Sequence, residues 1–312
     1  MSDETARARP KARGIDFEGW RGVEVRPLDP EAYARLARWF RPISRYFRAR
    51  LLRADRFPRE GGALIVGNHA TWGVDSFALL PLLFDETGRI PYGLGEKHLF
   101  ATPLGRRLVA AVGGVPGAPE NAHALLTGGE VCVCYPGAER DSFKRWWQRH
   151  TIHWGSRMGY LRSALRAGVP LVPVVGVGID DAFPVLGQDR VVARRLLGSK
   201  RYDLPLFLSM TGLAGLTGPL FAVPFPVPFV FEVGEPWRFD EWSEERREAC
   251  LADPAALAAL HAEVAAAFQA QLDDLVRRNA TPVRDTLARA ARRWIDGGTS
   301  RRPAPQPIRR SP

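Results

Sequence analysis

Cysteine is scarce in this chain. Cys132, Cys134 and Cys250 are the three in 312 residues, an odd count without zinc spacing, which excludes a disulfide framework and a zinc ribbon. Cys132 and Cys134 share one face of a predicted strand and read as small buried hydrophobes. Long unbroken apolar runs are also absent. Leu204 to Phe231 carries no charge, but prolines at 205, 219, 224, 226 and 228 and glycines at 212, 215 and 218 interrupt it. A spanning helix needs roughly 20 apolar residues without such breakers. Met1 to Arg13 is polar and basic with no apolar core, so no secretory signal is expected. No internal repeat is visible, and no Gly-x-Ser-x-Gly nucleophile motif occurs. His150 and His153 stand at no metal-ligand spacing with a carboxylate or cysteine, so no metal is expected. Acidic residues are in deficit: 44 Lys and Arg face 34 Asp and Glu, a net charge of +10 that favours an anionic partner.

What is present builds a core, with 46% hydrophobic residues and strands alternating with helices. From Glu31 to Leu52, Tyr33, Leu36, Ala37, Phe40, Ile43, Phe47, Leu51 and Leu52 recur at three- and four-residue spacing, among arginines at 35, 38, 41, 45, 48 and 50. The spacing predicts an amphipathic basic helix, kinked or split at Pro42. It suits the interface of an anionic bilayer, and equally a helix on the protein's own core with its arginines in water. Strands are predicted at Ala63–Val66, Ile90–Leu94, Glu130–Tyr135, Val169–Val175 and Pro224–Val233. Helices are predicted at Ser76–Phe84, Pro103–Ala111, Asn121–Thr127, Met158–Arg166 and Pro254–Val276, with a turn at Gly113–Pro116. The expected fold class is α/β: a single domain with a mixed, largely parallel sheet flanked by helices, plus an N-terminal amphipathic helical segment. The chain divides into a polar segment (1–30), the basic helix (31–55), the main domain (56–276) and an arginine- and proline-rich tail (277–312). Arg284, Arg289, Arg292 and Arg293 would lie on a short helix there, and the last fifteen residues would be disordered.

Chemistry concentrates in two loops. Gly67-Asn68-His69-Ala70-Thr71-Trp72-Gly73-Val74-Asp75 leaves the carboxyl end of the first buried strand, where open α/β sheets collect polar groups. His69 suits a general base, and Asp75 a carboxylate that fixes its tautomer and stabilises the imidazolium. Asp75 is equally a candidate N-cap. Side chains six apart diverge on a continuous helix, so a pairing demands a turn, for which Gly73 has the freedom. The second loop, Pro136-Gly137-Ala138-Glu139-Arg140-Asp141, offers Arg140 as a bidentate phosphate ligand. Lys97 and His98 follow a predicted strand within reach of phosphates, and Leu204 to Phe231 is the candidate apolar trench or else ordinary core.

Four blocks occur in order: Gly67-Asn68-His69 with Asp75; Pro103-Leu104-Gly105 through Gly113-Gly114-Val115; Tyr135 to Asp141; and Val169-Pro170-Leu171-Val172-Pro173. On these the chain resembles the glycerolipid and lysophospholipid acyltransferase family, most closely its bacterial mono- and diacylglycerol acyltransferase-like branch. The resemblance implies transfer of a fatty acyl group from acyl-CoA to a glycerolipid hydroxyl without a covalent acyl-enzyme, with His69 as base and Asp75 as its partner. Asn68, Pro136, Gly137, Arg140 and Lys97 are the substrate-binding candidates, and no cofactor is implied beyond the acyl-CoA donor. Two departures stand out. Five residues separate His69 from Asp75 where the widespread pattern has four, which tilts the acceptor towards diacylglycerol or a related neutral lipid. Ala138 and Asp141 replace a usual glycine and glutamate. The expected setting is peripheral, on the cytoplasmic side of the cell membrane, with an anionic surface and no nucleic acid as partner. Hydrolysis of acyl-CoA or a lipid ester on the same fold, and a non-catalytic anionic-lipid-binding protein, are the alternatives.

Overall fold

A strand covered on both faces needs apolar residues at every position, and Ala63–Gly67 (β2) meets that need with all five buried. Leu64 and Val66 join the core on one face of the sheet, Ala63 and Ile65 on the other. The computed structural model describes residues 28–189 apart from 101, 104, 105, 107, 108 and 111, together with 204–214 and 222–279. The predicted helix and disordered end of the tail lie outside these residues, as does the polar segment before Leu28.

Ten strands are described: β1 Arg50–Leu52, β2, β3 Pro91–Gly95, β4 Gly114–Pro116, β5 Val131–Cys134, β6 Leu171–Val177, β7 Val185–Asp189, β8 Leu204–Ser209, β9 Gly212–Ala214 and β10 Val230–Val233. Seven form one sheet in the order β1-β10-β6-β2-β5-β3-β4. From β6 to β4 all neighbours run parallel; β10 is antiparallel to β6, and β1 runs with β10. The mixed, largely parallel sheet is the expected one. Helices α1 Pro30–Tyr46, α2 Val74–Thr87, α3 Pro119–Thr127, α4 Glu139–Ser142, α5 Gly159–Ala167, α6 Glu244–Ala252 and α7 Pro254–Asn279 surround it. The apolar faces of α3, α5 and α7 cover one side of the sheet, α2 covers the other, and α1 packs on α2. Among the described residues no single helix is long and apolar enough to cross a membrane.

The basic helix ends earlier than its spacing suggested. Asp29 caps α1, which runs unbroken through the exposed Pro42, where solvent compensates the hydrogen bond proline cannot donate. After Phe47, Arg48 turns the chain with φ 44°, and Leu51 and Leu52 lie on the edge strand β1. The main sheet therefore begins before residue 56, and the basic helix is part of the same packed body. Gly114–Pro116 is an edge strand rather than a turn, Pro224–Phe229 has no regular structure, and β7, β8 and β9 form a small antiparallel sheet that sequence patterning missed.

Candidate active site

Three loops meet at the carboxyl edge of the parallel strands. The first leaves β2 through Asn68, whose side-chain amide pairs at both ends with one residue: Nδ2 donates to the Gly176 carbonyl at 2.8 Å and Oδ1 accepts from the Gly176 amide at 2.8 Å. Asn68 is buried, so the substrate-binding candidate is a clamp that fixes the loop to β6. His69 follows. Trp72 and Gly73 both adopt left-handed backbone, φ 62° and 69°, and give the turn that the six-residue separation requires. Gly73 caps α2, so Asp75 lies inside the first helical turn instead of capping it. Its Oδ2 stands 3.0 Å from His69 Nδ1, and its Oδ1 accepts from the Ala70 amide at 3.2 Å. The carboxylate is 1% exposed and the imidazole 20%.

The second loop follows β5. The Tyr135 ring stacks on His69 with centroids 4.0 Å apart, and its hydroxyl accepts a 2.8 Å hydrogen bond from Ser76. Burial, reinforced by the Asp75 carboxylate, pushes the Tyr135 phenol well above its usual range. Gly137 is required by close approach: a Cβ there would come within 2.5 Å of Asp141 Cγ. Asp141 is buried and accepts from the His153 amide at 2.8 Å, which gives it a loop-bracing role. Ala138 has φ 45° and ψ −129°, a conformation natural to glycine and strained for alanine. Arg157 grips Glu139 through both guanidinium nitrogens and donates to the Gly137 carbonyl at 2.7 Å. Burial raises the Glu139 pKa, but the Arg157 hydrogen bonds outweigh it and hold the carboxyl below its usual range.

The third loop follows β6 and carries Asp180. Its carboxylate pairs at 2.9 Å with Lys144, which is 2% exposed. Burial, with Asp141 and Asp181 nearby, pushes Asp180 up to about 7 despite the lysine.

An apolar trench of about 510 Å³ opens beside His69. Its floor includes Gly93, Gly95 and Val133; α1 supplies Tyr33, Leu36, Ala37 and Phe40, and α2 supplies Ser76, Phe77, Leu80 and Pro81. Among the described residues of Leu204 to Phe231, none lines it; Phe207 is buried against Phe183. Among the described residues, the basic helix α1 supplies a wall of the trench. Pro136 and Gly137 are buried within their loop, and the neighbouring Ala138 and Glu139 face the trench in their place. Arg140 is exposed on α4 and does not line the trench. Lys97 starts a short 3-10 turn, and its side chain lies outside the described residues. Sequence reasoning missed Tyr135, Lys144, Arg157 and Asp180 as site residues. Lys144 and Asp180 bracket the second and third loops, but burial of a lysine within a run of basic and aromatic residues leaves no periodic signal.

An imidazole oriented by a carboxylate at the wall of an apolar trench is an arrangement chemically able to accept a proton beside an aliphatic group. Residues 49–177 match the family model described as Acyltransferase. The family resemblance drawn from the four blocks thus holds. An uncharacterized protein of Mycobacterium tuberculosis is 30% identical over 63% of this chain and 55% of its own length. The human "DGAT1/2-independent enzyme synthesizing storage lipids" is 26% identical over 60% of this chain and 52% of its own. The chain thus spans about half the length of the curated relatives it matches. A crystal structure of the 1-acyl-sn-glycerophosphate acyltransferase PlsC from Thermotoga maritima aligns with TM-score 0.45 and 14% identity, over 80% of this chain and 84% of that one.

Proposed function

We propose that the protein transfers a fatty acyl group from acyl-CoA to a glycerolipid hydroxyl, with diacylglycerol-like neutral lipid or lysophospholipid as acceptor. The observation that carries this is the His69–Asp75 pair opening onto the apolar trench. Asp75 holds Nδ1, so Nε2 takes the acceptor's hydroxyl proton as its oxygen attacks the thioester carbonyl. The new C–O bond forms, the C–S bond breaks, and the proton passes from Nε2 to the departing thiolate. Nothing remains covalently attached to the enzyme.

The acyl chain lies in the trench between α1 and α2. Trp72, Phe77 and Leu99 line that trench and are also 41%, 42% and 51% exposed, and Trp39 on α1 is 81% exposed near exposed Arg35, Arg38 and Arg45. Apolar rims flanked by cations favour peripheral docking on an anionic surface, which on this reading is the cytoplasmic side of the cell membrane. The test is an acceptor screen with radiolabelled oleoyl-CoA and separation of the lipid products. Label moving into an acylated glycerolipid is expected; label appearing solely as free fatty acid, with or without acceptor, would replace transfer by hydrolysis.

A further inference from the structure

Lys144 is a buried cation that the proposed chemistry does not use. Its ammonium reaches all three loops of the site. It donates to the Asp141 carbonyl at 3.0 Å in the second loop and to the His69 carbonyl at 3.4 Å in the first, and it pairs with the Asp180 carboxylate at 2.9 Å in the third. A lysine so deeply buried needs compensation for lost hydration, and these three acceptors match its three N–H donors. The neighbouring carboxylates outweigh desolvation and raise its pKa, so it stays charged.

Other ties join the loops as well: Trp146 Nε1 donates to Asp181 at 2.7 Å and Arg149 pairs with the same carboxylate at 3.5 Å, linking the segment after the second loop to the third. Asn68 secures the first loop to β6, and Thr71 donates to the Ser142 carbonyl at 2.8 Å. The peptide joining His69 to Ala70 is held at its amide by Asp75 Oδ1 at 3.2 Å and at its carbonyl by Lys144. The Asp75 bond fixes the ring about Nδ1, but the ring is only as well placed as the peptide that carries it. Main-chain displacements of about 1 Å can cost about 100-fold in rate, because reacting atoms must meet within a narrow range of distance.

We propose that Lys144 is a positioning residue: through the His69 carbonyl it sets where the imidazole stands over the trench, with Asp180 as its counter-charge. This rests on the reading of His69 as the base. It places the rate-determining geometry of the site on a side chain that touches neither substrate nor the imidazole ring.

The test compares Lys144→Met, Lys144→Met/Asp180→Asn and His69→Ala in the full chain, each with a thermal melt and steady-state acyl transfer from oleoyl-CoA. Lys144→Met leaves Asp180 buried without its partner and is expected to melt lower; the double variant removes both charges and restores the melt. In the double variant kcat is expected to fall about 10- to 100-fold, while KM for oleoyl-CoA stays within about threefold because the trench is untouched. A double variant that melts like the wild type and keeps wild-type kcat overturns the positioning role, as does a fall in kcat matched by an equal rise in KM. Should the double variant melt low as well, its kcat measured well below that melt decides on the same criteria. Full activity in His69→Ala would instead sink the catalytic reading, a result the lysine variants cannot mimic.

Discussion

Gly93 offers a way to shorten the trench without disturbing the fold. It sits on β3 opposite Val133 of β5, lines the trench, and has no heavy atom within 4 Å of where a Cβ would stand. Its φ is not left-handed, so a larger side chain meets neither strain nor a neighbour at its root. Gly93→Leu adds four carbons to the trench and displaces about three to four methylenes of a long acyl chain. At about 0.8 kcal/mol per buried methylene this is about 2.5 to 3 kcal/mol, or about 100-fold in kcat/KM. Octanoyl-CoA, which need not reach as far, should be nearly unaffected. The assay is kcat/KM for octanoyl- to stearoyl-CoA in both proteins, with a melt to confirm folding. An unchanged length profile, or an equal loss at every length, would refute the trench as the acyl site.

Ala138→Gly should raise stability by about 1 kcal/mol, because relief of about 1–3 kcal/mol of backbone strain exceeds glycine's entropic cost of about 0.5–1 kcal/mol; a lower urea midpoint would contradict the strain. Gly137→Ala next to it should lose about 1–3 kcal/mol, since its methyl would displace the Asp141 carboxyl. Asp180, raised to about 7 in the fold against an ordinary value near 4, binds more protons folded than unfolded between those limits. Its contribution is therefore full below pH 4 and is lost as pH rises to 7, so unfolding free energies of wild type and Asp180→Asn should diverge in slope across that window; parallel curves would contradict it. Trp39→Ala should weaken binding to phosphatidylglycerol-containing vesicles about tenfold, as expected for an aromatic side chain leaving an apolar phase; unaltered co-sedimentation would remove α1 from the membrane contact.

Periodicity carried most of the fold. Ala63–Gly67, the strand through Val172 and the stripe Leu257, Leu260, Val264, Phe268 and Leu272 of α7 are buried as their spacing implies. Where two patterns coincide, spacing misleads: Leu51 and Leu52 continue a helical period yet pair with Phe231 and Glu232 on an edge strand. The site was partly legible. His69, Asp75 and the turn at Gly73 follow from local chemistry, because their partners lie within seven residues of one another. The trench was not, since α1 comes to face α2 only through tertiary packing. Asn68 looked like a polar loop residue because its acceptor and donor, both on Gly176, are 108 positions away.

The central claim is that His69, oriented by Asp75, takes the acceptor's proton. Single-turnover acyl transfer from radiolabelled oleoyl-CoA, measured for wild type, His69→Ala and Asp75→Asn at matched folded fraction, tests it most directly. The account predicts a fall of about 10²- to 10⁴-fold for His69→Ala, with a large loss for Asp75→Asn as well. Wild-type turnover in a folded His69→Ala protein would contradict it.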